Sequence, residues 1–425
     1  MKILTPALAG LLLSCLTLQT YAESTVIQAG RVLDVVTGKL LSNRAIVIEN
    51  DRIVSVVSSG SPAIPEDARV IDLGAMTVLP GLIDMHVHLT GDPDAQGYQN
   101  LAASTPRNAL FGAANALRTL RAGFTSVRNV GAGGWADIAL RDAINHGDVP
   151  GPRMRASGPS LGITGGHCDI NLLPPRFGAY SDGVADGPWE IRRKVRNNVK
   201  YGADVIKFCA TGGVLSKGTN VGVRQFTLEE MQALVAEAHL RGRRVAAHAH
   251  GADGIKTAIR AGVDSVEHAS LIDDEGIQLA LENNTFLVMD VFVSTFILES
   301  GTAAGFLAES LEKERIVGQT QRNNFRKAHE AGVRMAFGSD AGVYPHGQNG
   351  RQFAFMVEYG MTELEAIQAA TIHAAELMDW TVDVGQVSEG MYADLIAVAG
   401  NPLDNILELE DVRWVMKGGQ IYKGD

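Results

Sequence analysis

The stretch GLIDMHVHLT, from Gly81 to Thr90, places two histidines one residue apart at the end of an apolar run. Side chains of a β-strand alternate between its two faces, so we expect His86 and His88 to project from the same face. Two imidazoles on one face of a buried strand are costly unless they bind something or are hydrogen-bonded. The stretch therefore predicts either a metal-binding strand or a pair of packed core histidines, and the rest of the chain decides between them.

Through the middle of the chain, helical patterns alternate with short apolar strands. The helical patterns are RNALFGAANALRTLRAG, LEEMQALVAEAHLRG, GADGIKTAIRAG and LEAIQAATIHAAELM. The predicted strands are IDMHVH, TSVRN, RMRAS, DVIKFCA, RVAAHAH, DSVEH, FLVMD and RMAFGSD. Eight strands, most of them preceded by a helix, over about 300 residues predict an α/β fold of the (β/α)8 TIM-like barrel type. A doubly wound open sheet is the alternative, although no G-x-G-x-x-G motif follows the first strand.

Both ends of the chain alternate apolar and polar residues in short segments that are separated by turn signals. This pattern predicts a small β-sandwich domain built from both chain ends. The expected division is a signal peptide at 1–22, sandwich strands at 23–80, the barrel at 81–380 and further sandwich strands at 381–425.

The first residues are typical of a secretory signal: a basic Met1-Lys2 start, an apolar run of 16 residues and small residues up to Ala22. The run is short for a membrane span, so we expect export to a periplasm or beyond and no transmembrane segment. Lipoprotein anchoring through Cys15 is the less favoured reading, because Leu16 continues the apolar run.

The charge and the cysteine content limit the possible binding partners and the number of disulfides. The formal net charge of −11 over 425 residues leaves no basic excess for binding nucleic acid. Beyond the signal region the cysteines are Cys168 and Cys209, which are too few for a disulfide framework but could pair if they lie close together.

In barrels of this type the functional groups lie at the carboxyl ends of the strands. The predicted strands end with a concentration of reactive side chains: His86 and His88 on the first, Lys207 on the fourth, His248 and His250 on the fifth, His268 on the sixth and Asp340 on the eighth. Several histidines with one carboxylate suit zinc or a related metal ion. The set therefore predicts that His86 and His88 are metal ligands.

Lys207 points to a more specific chemistry. Burial in an apolar strand lowers the pKa of a lysine and favours its neutral amine. A neutral amine can capture CO2 as a carbamate, whose two oxygens can bridge two metal ions. A charge that reaches the barrel rim or pairs with Asp340 is the alternative for Lys207.

The sequence resembles the amidohydrolase superfamily over nearly its whole length. The matching pieces are LPGLIDMHVH, VIKFCATGG, VAAHAHG, SVEHAS, FGSDAG and GMYADLIAV. With LGITGGHCD, they resemble a branch of imidazolonepropionase-like amidohydrolases that contains bacterial dipeptidases acting on Xaa-Pro and enzymes that hydrolyse ochratoxin A. The resemblance implies two divalent metal ions, with zinc expected, on the following residues: His86, His88 and Asp340 on the first, His248 and His268 on the second, and carboxylated Lys207 between them.

The predicted reaction is hydrolysis of the amide bond of a dipeptide or N-acyl amino acid, as in dipeptidases and carboxypeptidases, by a hydroxide shared between the metals. Asp340 would take and return the proton as general base and acid. A cyclic-amide hydrolase of the imidazolonepropionase or hydantoinase type is the alternative. A non-catalytic scaffold is a remote alternative, because such a relative should have lost ligands.

Two remaining histidines are predicted to bind the small-molecule substrate: His167 in the loop GITGGHCD and His250 beyond His248. Arg224 is either a partner for a substrate carboxylate or a solvated surface residue. We expect further pocket-lining residues in the loops: Val214, Leu215, Val343, Tyr344 and His346. The remaining histidines are predicted to be structural: His146, His239, His329 and His373. A homo-oligomer is expected from the resemblance.

Overall fold

The structure is a computed structural model that describes residues 24–424. The expected signal peptide at residues 1–22, including Cys15, lies outside the described residues. Within the described part of the chain, none of the helices has both the length and the hydrophobicity that crossing a membrane requires.

The chain begins and ends with strands and alternates helices with strands between them. The strands are β1 (Ser24–Asp34), β2 (Lys39–Glu49), β3 (Arg52–Ser58), β4 (Arg69–Asp72), β5 (Thr77–Pro80), β6 (Leu82–Val87), β7 (Phe124–Asn129), β8 (Arg153–Ala156), β9 (Val205–Cys209), β10 (Arg244–Ala249), β11 (Ser265–His268), β12 (Phe286–Val288), β13 (Leu395–Val398), β14 (Trp414–Lys417) and β15 (Gln420–Lys423). The helices are α1 (Thr105–Arg121), α2 (Ala136–His146), α3 (Gly187–Lys200), α4 (Leu228–Leu240), α5 (Ala252–Ala261), α6 (Asp274–Glu282), α7 (Val293–Ser300), α8 (Ala308–Glu330), α9 (Arg351–Glu358), α10 (Glu363–Ala369) and α11 (Ile372–Leu377).

Strands from both chain ends form one mixed sheet of eight strands, in the order β15-β14-β13-β5-β1-β2-β3, with β4 paired to β1. The two ends of the chain meet where β5 and β13 run antiparallel and Leu79 lies opposite Ile396. Apolar side chains from these strands pack into one cluster that includes Ile27, Ile46 and Trp414. The strands predicted at the two ends therefore belong to the same sheet.

Two parallel sheets carry the middle of the chain, one ordered β6-β7-β8 and the other β12-β11-β10-β9. Every residue of β6, β7 and β9 is buried, as expected for parallel strands that are covered on both faces. A single parallel bridge between Leu161 and Phe208 joins the segment after β8 to β9. Seven of the eight predicted strands of this region are present, as β6 to β12.

The eighth predicted strand, RMAFGSD, does not form a regular strand. Its segment makes single parallel bridges, from Met335 to Leu287 of β12 and from Ala341 to Val87 of β6. Asp340 donates its main-chain N–H to the carbonyl of His86, but its φ of 57° lies outside the strand region. The prediction of a regular strand was wrong here because the main-chain N–H of Phe337 donates to the carbonyl of Ala369 in α10 and not to a neighbouring strand, which leaves only isolated bridges.

Most predicted helices form at the expected places, and local capping explains where they begin and end. Helix α4 begins with a capping box between Thr227 and Glu230, and α5 ends at Gly262, whose φ is 93°. The pattern LEAIQAATIHAAELM, expected as one helix, instead divides into α10 and α11. At the break, Thr371 has non-helical angles and its hydroxyl donates to the carbonyl of Ile367, 2.7 Å away.

Candidate metal centre

The carboxyl ends of the parallel strands surround a cavity of about 150 Å³. All of the predicted metal ligands and substrate-binding residues line it: His86, His88, His167, Lys207, His248, His250, His268 and Asp340. The polar side chains of distant sequence segments are thus brought together at one end of the sheets, as the strand-end rule requires.

A first group of potential ligands comprises His86, His88 and Asp340, whose donor atoms all lie within 4.8 Å of one another. Asp340 Oδ1 lies 3.4 Å from His86 Nε2 and 3.4 Å from His88 Nε2. The two histidines come from the end of β6, where their period-two spacing turns both toward Asp340. The structure thus brings these three predicted ligands together.

A second group comprises His248, His250 and His268, at the ends of β10 and β11, with donor atoms within 4.8 Å of one another. The ring centroids of His248 and His268 are 4.6 Å apart, and those of His250 and His268 are 4.8 Å apart. His250 therefore lies within ligand reach of the group, although the sequence predicted a substrate contact for it. The His86 and His268 rings, 4.8 Å apart, connect the two groups.

The unpaired donor atoms of the cavity match what a metal ion needs. His86 Nε2 and Asp340 Oδ1 are buried and lack a hydrogen-bond partner among the described residues. Buried polar atoms normally have partners, and imidazole nitrogens with a carboxylate oxygen form the donor set that zinc and similar ions prefer. The first group therefore fits a divalent cation, and the second group offers imidazole donors of the same kind.

A buried ion pair between Glu267 and Arg128 orients the imidazole of His86. Its Nδ1 lies 2.9 Å from Glu267 Oε2, and Glu267 Oε1 lies 2.7 Å from Arg128 Nη2. Arg128 also donates to the main-chain carbonyl of Met85. Such a carboxylate holds the Nδ1 proton and leaves Nε2 free for a metal ion. Sequence reasoning missed both Glu267 and Arg128. Their presence inside buried strands could have indicated that they pair with each other or with a site residue.

A different carboxylate orients His268. Its Nδ1 lies 2.9 Å from Asp290 Oδ1, and the Gln321 amide donates to the same Asp290 oxygen and to the His268 carbonyl. Burial by itself lowers the pKa of His268, but Asp290 outweighs it and raises the pKa. Asp290 also lies close enough to His268 and Asp340 to join a third potential ligand group. Sequence reasoning missed it, although Asp290 ends the predicted strand FLVMD.

Lys207 faces the same cavity from β9 and is only 3% exposed. Burial lowers its pKa to about 8, against the opposing influence of Glu267 and Asp340. No ion pair joins Lys207 to Asp340 within residues 24–424, so the alternative of a Lys207–Asp340 pair is not what the structure contains.

The ring of His167 stacks on the ring of His248, with centroids 4.2 Å apart and planes 26° apart. Burial, together with His268 and Lys207, lowers the pKa of His167 to about 3, so this imidazole is neutral. Its buried Nδ1 has no hydrogen-bond partner among the described residues. The next residue, Cys168, forms a disulfide with Cys209, which answers the question that the sequence left open.

Other predicted pocket residues divide into two sets. Leu215, Val214 and Val343 line the cavity. Three others do not line it: Arg224, Tyr344 and His346. Arg224 pairs instead with the exposed Asp253, which agrees with the alternative prediction of a surface residue.

Tyr344 and His346 are held in the core rather than in the pocket. Tyr344 packs edge-on against Phe292, with ring centroids 5.0 Å apart. His346 is hydrogen-bonded on both nitrogens, to the Thr119 hydroxyl and to the main-chain carbonyl of His88. The expectation that these two residues shape the pocket was therefore wrong, because their loop folds inward onto α1 and β6.

One wall of the cavity comes from α7 and α8, which follow β12. It is apolar at Val293, Ile297 and Val317, but it also contains the carboxyl group of Glu314. Burial raises the pKa of Glu314 to about 7, although a hydrogen bond from Ser294 opposes the shift. Sequence reasoning did not single out Glu314, because a glutamate in a charged helix has no distinguishing pattern.

Comparison with known proteins agrees with this geometry. The amidohydrolase family matches residues 77–422 of the chain. The protein belongs to the amidohydrolase family. It is therefore a hydrolase of the amidohydrolase type, a class that is generally metal-dependent.

Two relatives show where this amidohydrolase lies within the family. It is 36% identical over 430 residues to the ochratoxinase of Aspergillus niger, which covers 95% of this chain and 87% of the relative. An imidazolonepropionase of Caldanaerobacter subterraneus is 23% identical, with 86% of each chain covered.

Two solved structures resemble this protein in both fold and sequence. A crystal structure of a Xaa-Pro dipeptidase with methionine bound in its active site has a TM-score of 0.88 and 40% identity, covering 94% of this chain and 100% of that one. The crystal structure of A. niger ochratoxinase has a TM-score of 0.83 and 34% identity, covering 95% of this chain and 96% of that one.

Proposed function

We propose that this amidohydrolase is a binuclear metal enzyme that cleaves the amide bond of dipeptides or N-acyl amino acids. The expected leaving residue is proline or a hydrophobic amino acid, and ochratoxin A is a candidate substrate. The observation that carries the proposal is the pair of histidine groups that share one cavity with Lys207. Similarity to both a Xaa-Pro dipeptidase and an ochratoxinase supports the substrate class.

The proposed ligands follow from the two groups. His86, His88 and Asp340 would hold one divalent cation, and His248 and His268 the other. Lys207, as a carbamate, would contribute an oxygen to each, and its lowered pKa favours the neutral amine that reacts with CO2. When bound, two such cations, with zinc expected, supply the Lewis acidity that lowers the pKa of water and polarises an amide carbonyl.

The proton transfers are assigned to Asp340. Its Oδ1 is held between His86 Nε2 and His88 Nε2, at 3.4 Å from each, which places the carboxylate at the floor of the cavity. Asp340 takes the proton of the attacking water and returns it to the leaving nitrogen. General acid–base catalysis of this kind contributes about 10²- to 10⁴-fold to a rate.

The cavity walls support an apolar substrate with a few polar contacts. Val214, Leu215 and Val343 offer apolar surface on the loop side. The imidazoles of His167 and His250 are assigned as hydrogen-bond donors to the substrate carbonyl or carboxylate.

A cyclic-amide hydrolase is the second candidate, favoured by the similarity to imidazolonepropionase. Such an enzyme would open the ring of hydantoin or a related compound with the same ligands. A non-catalytic scaffold is disfavoured, because all the predicted ligand positions carry ligand-type side chains.

The fold proposal is a closed (β/α)8 barrel with a small β-sandwich. The bridges of Met335 to Leu287, Ala341 to Val87 and Leu161 to Phe208 support closure, since they connect the two parallel sheets on both sides. The apolar cluster shared by strands of both chain ends supports the sandwich. We also propose export of the enzyme, as its amino-terminal sequence predicts, and a homo-oligomer.

The proposed function is tested by elemental analysis together with a substrate panel: Ala-Pro, Ala-Phe, N-acetyl-Phe, hydantoin and ochratoxin A. We expect about two metal ions per chain and hydrolysis of the acyl–amino acid members. Lys207→Ala should lose both metal and activity, while the exposed control Lys200→Ala should keep both. Turnover of hydantoin alone would favour ring opening. Absence of metal and turnover after addition of zinc and bicarbonate would refute the proposal.

A further inference from the structure

We propose that the Cys168–Cys209 disulfide is a positioning element of the substrate site, because it holds the imidazole of His167 against His248. The inference rests on the proposed function, in which His167 contacts the substrate. It adds a residue pair to the site that has no part in metal binding or proton transfer.

The imidazole of His167 has few polar contacts of its own. Its main-chain N–H donates to Gln225 Oε1, 2.9 Å away, and its ring stacks on His248. Its Nδ1 has no partner among the described residues. The exposed part of the loop has hydrogen bonds of its own, because Thr164 donates its N–H and hydroxyl to Asp186 and Gly165 donates its N–H to Asp169.

The disulfide adds a covalent anchor at the residue that follows His167. Cys168 follows His167 directly, and Cys209 lies on β9 two residues after Lys207, with the two Cα atoms 5.9 Å apart. The same loop is already attached to β9 at Leu161, which exchanges main-chain hydrogen bonds with Lys207 and Cys209. The covalent bond thus ties the His167 end of the loop to the strand that carries Lys207.

Gly213 completes the pocket for the imidazole. A β-carbon at this position would overlap Cε1, Nδ1 and Nε2 of the His167 ring. The ring therefore fills the space that the absent side chain leaves, between Gly213 and His248. The disulfide fixes the loop, and the glycine leaves room for the ring, so both act on the same imidazole.

The consequence is a specific kinetic effect. Without the disulfide the loop gains conformational freedom, and His167 spends less time in its stacked position. A contact made in the bound ground state appears mainly in KM. We expect KM for a cleaved dipeptide to rise about tenfold while kcat changes less than about threefold.

The test is a double-mutant cycle with four proteins: wild type, Cys168→Ser/Cys209→Ser, His167→Ala and the combined variant. We expect the cysteine changes to raise KM about tenfold when His167 is present and less than about twofold when it is absent. Metal content should stay the same in all four, since no predicted ligand changes. An equal rise of KM in both backgrounds, or loss of metal, would overturn the inference.

A second measurement does not need activity. Reaction of His167 with diethyl pyrocarbonate, followed by peptide mass spectrometry, should be several-fold faster in the cysteine variant than in wild type. Wild type reduced with a phosphine, which becomes its oxide as two thiols form, should resemble the variant and serves if the variant fails to fold. Equal reactivity, or two free thiols in untreated wild type, would refute the positioning role. An enzyme without peptidase activity but with this difference would refute only the proposed function.

Discussion

The two histidine groups of the candidate metal centre are supported in different ways. His86 rests on Glu267, whose charge is balanced by Arg128 at 2.7 Å. His268 rests on Asp290, which forms no ion pair with an arginine or lysine within residues 24–424 and has only the Gln321 amide as a further donor. Similar imidazole geometry is thus combined with different electrostatics, and a cation bound on the His268 side would face a carboxylate that no arginine or lysine balances.

The largest effect on stability should come from removing the positive charge of Arg128, which pairs with Glu267 behind His86. Arg128→Met leaves the buried Glu267 carboxylate without its counter-charge, so the free energy of unfolding should fall by roughly 3–5 kcal/mol. The matched change on the other side, Gln321→Leu, removes a neutral donor and should cost about 1–3 kcal/mol. Urea unfolding of both variants measures the difference, and equal losses would show that the two supports are equivalent.

A pH-dependent effect is expected at Glu314, another acid on the His268 side. Burial raises its pKa from 4.5 to about 7, so between these values the folded state holds a proton that the unfolded state has lost. Stability from this group therefore falls as the pH rises through that window, by up to about 3 kcal/mol. Glu314→Gln should match wild type near pH 4 and be the more stable protein at pH 8.

Thermal or urea unfolding in the presence of a chelator, at several pH values, measures this difference. The groups that act on Glu314 are Ser294, Asp290, His268 and Arg322, and none is changed by the substitution. A constant difference between the two proteins from pH 4 to pH 8 would contradict the assigned cause.

The smallest effect is expected on metal affinity, when the carboxylate behind one or the other histidine group is neutralised. Asp290→Asn and Glu267→Gln each remove the negative charge behind one histidine, and such changes typically cost about 10- to 100-fold in affinity. We expect the loss to be greater for Asp290→Asn, because Asp290 itself lies within ligand reach of the centre, whereas Glu267 acts through His86. Competition with a chelator measures the affinities, and a greater loss for Glu267→Gln would reverse the comparison.

Local rules accounted for most of the secondary structure and for the meeting of the predicted ligands at one cavity. The HVH spacing of His86 and His88 and the strand-end positions of His248 and His268 were readable because side-chain direction in a strand is set by neighbouring residues alone. The prediction of a regular eighth strand was wrong because the main-chain N–H of Phe337 donates to Ala369 of α10, a contact that no local pattern reports.

The sequence by itself determined the alternation of strands and helices, the cavity's histidines and the buried lysine. Only the tertiary structure decided which carboxylates stand behind them, that Cys168 meets Cys209, and that His250 lies within reach of the second ligand group. The physical reason is that contacts between different strands depend on their register and on the paths of the loops. Register and loop paths follow from the packing of the whole chain. Strand periodicity and the lowering of the Lys207 pKa by burial in an apolar strand depend on a few residues.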